Sequence, residues 1–101
     1  MREDNKLIKY KRIESSIHRI ISKEIYSNNN LRSYGIITIN RVEINNKLTK
    51  VNIFFSLWML KNIPINKIMD KYTNYFQKKI SCNIKTNKIL KLKWIYIKNS
   101  I

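Results

Sequence analysis

The chain has 101 residues, 44% of them hydrophobic, and a formal net charge of +15 from 21 Lys and Arg against 6 Asp and Glu. That length supports one modest core, so a single domain over residues 1–101 is expected, and the charge exceeds what solubility requires and calls for a polyanionic partner. One Cys and one Gly exclude an intramolecular disulfide, a Cys-based metal site and a Gly-rich phosphate loop.

The charge is unevenly placed. Residues 1–43 carry 9 basic and 5 acidic side chains, net +4, whereas residues 44–101 carry 12 lysines and one acid, Asp70, net +11. A coding bias toward A and T inflates Ile, Lys and Asn, but it supplies Glu almost as readily, so drift does not explain the scarcity of acids. The opening MREDNK has charges of both signs and no apolar segment behind it, which argues against a secretory signal. The longest apolar run, Ile53 to Leu60 with Ser56 inside it, is too short to cross a bilayer. A soluble, cytoplasmic protein is expected.

From Leu7 to Tyr26, residues Tyr10, Ile13, Ile17, Ile20, Ile21 and Ile25 recur at helical spacing and predict an amphipathic helix. Lys9, Arg12, Arg19 and Lys23 fall on its far side and read as a solvated stripe. Asn28-Asn29-Asn30 is expected to end the helix in a turn. The stretch GIITINRVEINNKLTKVNIFFS, from Gly35 to Ser56, then reads as a hairpin. Ile37 and Ile39 share one parity while Val42 and Ile44 share the other, so a β-bulge is predicted over Asn40-Arg41. After the polar turn from Asn45 to Thr49, Val51, Ile53 and Phe55 alternate with Asn52, Phe54 and Ser56, as a half-buried strand does.

Pro64 suits the first position of a second helix, whose apolar face is Ile65, Ile68, Met69, Tyr72, Phe76 and Ile80. Its far side carries Lys67, Lys71, Asn74 and Lys78 with almost no acid among them. Thr73-Asn74 is a weak helix-forming pair and marks a break or kink. Ser81 to Ile89 reads as a lysine-rich connection. The final stretch LKLKWIYI, Leu90 to Ile97, reads as a strand with Leu92, Trp94 and Tyr96 on one face and Lys91 and Lys93 leading the other. A three-stranded sheet covered on one face by helices buries all these stripes at once, which makes the fold class α+β with order α-β-β-α(kinked)-β.

Chemistry that would support catalysis is missing. His18 lies at the edge of the first helix's apolar stripe, and Glu24, Glu43 and Asp70 sit on different elements with no paired-carboxylate spacing. No enzyme activity, cofactor, metal or small-molecule substrate is expected. Sixteen lysines to five arginines suit contact with phosphate more than bidentate readout of bases. The candidate RNA-binding residues are Lys67, Lys71, Asn74 and Lys78, with Lys79 and Lys85 beside them and Lys91 and Lys93 on the last strand. Most aromatic residues fit a core; Tyr75, off the centre of its helix's apolar face, is the best candidate for stacking on a base. A membrane anchor made from the first helix is disfavoured, because the core needs its apolar stripe.

The order of elements and several local words resemble the ribosome-binding factor A family. Thr38, Val42, Glu43 and Ile44 match that family's first strand, and Leu48, Ile53, Phe54, Phe55 and Ser56 match its turn and second strand. Tyr75, Phe76 and Ile80 follow its later helix, Leu92, Trp94 and Tyr96 its last strand, and Asn99-Ser100-Ile101 the segment after it. Tyr72-Thr73-Asn74 stands where the family has Ala-x-Gly, Lys47 replaces a turn Asp, Leu90-Lys91 replaces Pro-Glu, and Gln77 replaces a basic residue. The resemblance spans Leu7 to Ile101. It implies a type II KH-like domain in which a kink between helices, here shaped by Asn74, replaces the Gly-x-x-Gly loop. It also implies a non-catalytic, monomeric factor that binds the 16S rRNA of the small (30S) ribosomal subunit in late maturation and supports growth in the cold. A permanent structural protein of the ribosome, or a general RNA-binding protein of the same fold, is the alternative.

Overall fold

The computed structural model describes residues 2–47, 49–58, 63–84 and 90–97, with side chains from Lys9 onward. Helix α1 runs from Arg2 to Ser27. Its predicted stripe is the buried one: Ile17, Ile21 and Ile25 are in the core, while Lys9, Arg12, Arg19 and Lys23 are exposed. The three asparagines do not simply end it. Asn28, in an extended conformation (φ −94°, ψ 106°), caps a further helix, α2 (Asn29–Arg32), by accepting the Leu31 N–H on its side chain at 3.1 Å. The Asn side chain that disfavours a helix interior satisfies an orphan N–H at a helix start, so the expected turn is instead the beginning of a short helix that buries Leu31. Gly35 (φ 140°) then takes a conformation that a Cβ would obstruct and turns the chain into the sheet.

The sheet has strand order β1-β2-β3. Strands β1 (Ile36–Ile44) and β2 (Lys50–Trp58) pair antiparallel, and β3 (Lys91–Tyr96) lies parallel to β2. The predicted bulge is present: Ile39 faces Phe55, but Arg41 faces the preceding residue, Phe54. One extra residue, Asn40, reverses the parity, so Ile39 and Val42 both reach the core while Arg41 turns away from it. The hairpin turn is closed by Asn45, whose Oδ1 accepts the backbone N–H of Thr49 (2.9 Å) and Lys50 (3.0 Å).

Val51, Ile53, Phe55 and Leu57 of β2, with Leu92, Trp94 and Tyr96 of β3, line the face that the helices cover. α3 (Ile65–Lys71) and α4 (Thr73–Asn83) pack on β3, and α1 packs on β1 and α4. Pro64 stands one residue before α3 instead of within it, its carbonyl accepting the Ile68 N–H at 3.1 Å. The core centres on Phe55, Phe76 and Trp94, with Trp94 edge-on to both rings at centroid distances of 6.0 and 5.3 Å. Each fully buried aliphatic or aromatic side chain there contributes about 1.5–3 kcal/mol. Two long-range hydrogen bonds fasten α1 to the hairpin: Glu14 Oε2 accepts the Ile44 N–H at 2.8 Å, and the Tyr10 hydroxyl donates to the Asn46 carbonyl at 2.8 Å.

Candidate nucleic-acid interface

Lys67 and Lys71 stand four residues apart on α3, and Asn74 and Lys78 four apart on α4; all four are exposed. Four-residue spacing puts each pair on one helix face. The helix break between the pairs falls on Tyr72 (φ −94°, ψ 0°), and Asn74 is an ordinary residue of α4. The expectation that Asn74 shapes the kink is therefore corrected. Tyr72 sits in the right-handed bridge region, open to any residue, so the break needs neither glycine nor left-handed asparagine. Its N–H bonds back to the Met69 carbonyl at 3.0 Å, closing α3 tightly, and its carbonyl accepts the Phe76 N–H at 3.0 Å, opening α4.

The break is held from the sheet. Thr73 Oγ1 accepts the indole N–H of Trp94 at 3.0 Å and donates to the Met69 carbonyl at 3.4 Å. Gln77, which stands where the resembled family has a basic residue, donates from Nε2 to the Leu90 carbonyl at 3.1 Å and ties α4 to the start of β3. Side chains of β3 and α4 thus hold the break between Lys67 and Lys71 of α3 and Asn74 and Lys78 of α4.

Two ion pairs occur among the described residues, Arg41–Glu43 at 3.2 Å and Lys79–Glu24 at 4.0 Å. Neither involves Lys67, Lys71, Lys78, Lys91 or Lys93. Lys79 is different: it is half-buried, its ammonium pairs with Glu24 of α1, and it lies 5.6 Å from the centroid of the Tyr75 ring. The Tyr75 hydroxyl donates to Glu24 Oε2 at 2.6 Å, and its ring stands edge-on to Phe76 at 5.5 Å. The hydrogen bond to Glu24, then burial, then the nearby carboxylate charge raise the Tyr75 pKa above the ordinary phenol value. Tyr75 and Lys79 are engaged in joining α4 to α1, which changes the expected roles of both as RNA contacts. The Glu24 cluster joins residues 51 positions apart, a separation at which periodicity gives no signal.

The remaining candidates do not share the helix face. Lys91 and Lys93 alternate with Leu92 and Trp94, which point into the helix-covered core, so both lysines project from the opposite side of the sheet. The structure divides the predicted site into a helix surface, with Lys67, Lys71, Asn74 and Lys78, and a sheet surface with Lys91 and Lys93. Lys85 lies outside the described residues. On α1 the two acids whose side chains are described turn to other elements, Glu14 to the Ile44 N–H and Glu24 to α4, while Lys9, Arg12, Arg19 and Lys23 are exposed.

His18 is half-buried beside an open groove of about 960 Å³ between α1 and β1. No group of three metal-ligating side chains occurs among the described residues, Cys82 is exposed with a free thiol, and no described helix is long and apolar enough to cross a membrane.

No protein-family model matches the chain, and no curated protein matches it in sequence. Solved structures do match in fold. The crystal structure of ribosome-binding factor A from Thermus thermophilus aligns with a TM-score of 0.74 at 8% identity, over 86% of this chain and 94% of that one. A homology model of the Thermus thermophilus factor, fitted into the cryo-EM map of its complex with the 30S subunit, aligns with a TM-score of 0.69 at 10% identity, over 83% and 90% of the two chains. A provisional ribosome-binding factor A from Thermotoga maritima, solved by NMR, aligns with a TM-score of 0.67 at 16% identity, over 82% and 81%. The α+β, KH-like architecture expected from the sequence is the fold of these proteins, with α2 added to the expected order of elements.

Proposed function

We propose that the chain is a non-catalytic ribosome-binding factor of the cytoplasm, acting as a monomer on the small subunit and binding 16S rRNA during late maturation, with a role in growth in the cold. The observation that carries this reading is the surface of α3 and α4: Lys67, Lys71 and Lys78 are exposed and outside both ion pairs, on a fold shared with a factor fitted onto the 30S subunit. Lysines so placed neutralise phosphate without reading sequence, and the clamped break at Tyr72 sets the shape they present. Lys91 and Lys93, on the other side of the sheet, do not touch the RNA segment that the helices hold.

Sedimentation of the tagged protein with ribosomes tests the reading. Enrichment with free small subunits is expected; co-migration with translating ribosomes would indicate a permanent structural component, and absence from all ribosomal fractions would leave the fold without the function. Replacing Lys71 and Lys78 together by Ala should weaken binding and reduce the salt dependence, the slope of log K against log salt, by up to about two. An unchanged slope would remove this surface from the mechanism.

A further inference from the structure

The sheet face turned away from the helices is a surface in its own right. Across it run three rows set by the strand register: Lys50 beside Lys91, Asn52 between Glu43 and Lys93, and Phe54 between Arg41 and Ile95. Like charges side by side on neighbouring strands destabilise a sheet, and Lys50 and Lys91 are such a pair. Glu43, the one acid in these rows, is committed to Arg41. An anion laid across the rows relieves that repulsion.

The bulge adds a second element. By reversing the parity at Asn40 it brings Arg41 over Phe54, with the guanidinium carbon 4.1 Å from the ring centroid. Glu43 Oε1 holds the Arg41 Nε at 3.2 Å, and the Arg41 side chain is 60% exposed. A guanidinium held over a ring and fixed at Nε, on a side chain this exposed, offers a positioned planar cation on which a nucleobase can stack. Trp58, 58% exposed, continues the aromatic character of β2 beyond Phe54. Bases already stacked within a duplex gain nothing from such a platform, whereas unpaired bases do.

We propose that this face is a second RNA-binding surface that takes a single-stranded segment, with a base stacked on Arg41 and phosphates held by Lys50, Lys91 and Lys93. The proposal rests on the reading that the chain binds RNA. With the helix lysines on the other side, it makes the protein a bridge between two stretches of RNA.

The test measures fluorescence anisotropy with two probes, a short single-stranded RNA of mixed sequence and a short RNA duplex, over a range of salt. Arg41→Ala should weaken single-strand binding about five- to tenfold, and Arg41→Lys, which keeps the charge without the plane, should lose most of the same affinity. Lys50→Ala/Lys91→Ala/Lys93→Ala should lower the single-strand salt slope by about two, at roughly 0.7 per phosphate contact. Duplex binding should stay within about twofold in all of them, and circular dichroism should show the same fold.

Unaltered single-strand affinity and slope in these variants would overturn the proposal, as would equal loss with both probes. Loss of small-subunit co-sedimentation with RNA affinity intact would assign the face to a protein and also overturn it. Lys71→Ala/Lys78→Ala separates the two readings. If that variant loses RNA while the sheet variants do not, only the second surface fails; if the wild-type chain binds neither probe, RNA recognition itself fails.

Discussion

Thr73→Val keeps the side-chain shape and removes the hydroxyl that accepts the Trp94 indole N–H at 3.0 Å. Trp94 is only 8% exposed and is wedged between Phe55 and Phe76, so its donor reaches no other partner without moving core rings. An unsatisfied buried donor costs about 1–3 kcal/mol. Thr73 itself is half-buried, which allows some access of water and places the expected loss near 1–2 kcal/mol. For a domain of this size that corresponds to a fall in Tm of roughly 5–10 °C. Urea unfolding should show a lower midpoint with an unchanged m-value, because the surface exposed on unfolding is the same. Trp94→Phe removes the same donor together with part of the ring packing and should cost more. If the hydrogen bond is the shared element, the double variant will be more stable than the sum of the single losses implies, by about 1 kcal/mol. A Thr73→Val protein within ~0.3 kcal/mol of wild type, or an additive cycle, would refute the clamp.

Two further outcomes follow from other contacts. The Tyr75–Glu24 hydrogen bond needs the neutral phenol, so the folded chain holds that proton more tightly than the unfolded one. Its stabilisation is complete below the ordinary phenol range and is lost as pH rises through the raised folded-state value. Thermal melting across alkaline pH should therefore fall more steeply for wild type than for Tyr75→Phe, and identical profiles would discount the link. Gly35→Ala should destabilise by about 1–3 kcal/mol in urea unfolding, since its positive φ admits glycine and penalises a Cβ; a loss below ~0.5 kcal/mol would mean that the backbone adapts.

Features written within one element are legible in the residue pattern alone. The parity change between Ile39 and Val42 reveals the bulge, because a strand's faces alternate strictly and an extra residue is the usual way to shift them. The stripe of Ile17, Ile21 and Ile25 likewise marks the buried side of α1. The relation between elements is not written in such patterns. Lys78 and Lys93 are both exposed lysines on amphipathic segments, and only the stacking of helices on one side of the sheet separates them. The Glu24–Tyr75–Lys79 cluster and the Glu14 bond to Ile44 span long separations with single side chains, which leave no repeating pattern. Asn28 misleads for a different reason: the same side-chain oxygen that favours a turn also caps a helix, and the buried Leu31 decides in favour of the helix.

The parallel pairing of β2 and β3 governs the order in which the protein can assemble. The hairpin joins residues close in sequence, but Lys50 must wait for Lys91, and the alignment then proceeds to Phe55 and Tyr96. Until those late residues are synthesised, β2 offers one unpaired edge on a strand whose Val51, Ile53 and Phe55 are destined for the core, the kind of surface that other chains add to. Non-local closure of this sort is slow. A nascent or truncated chain without its third strand should accordingly be prone to aggregate, and chaperone dependence should track completion of that strand more closely than formation of the helices.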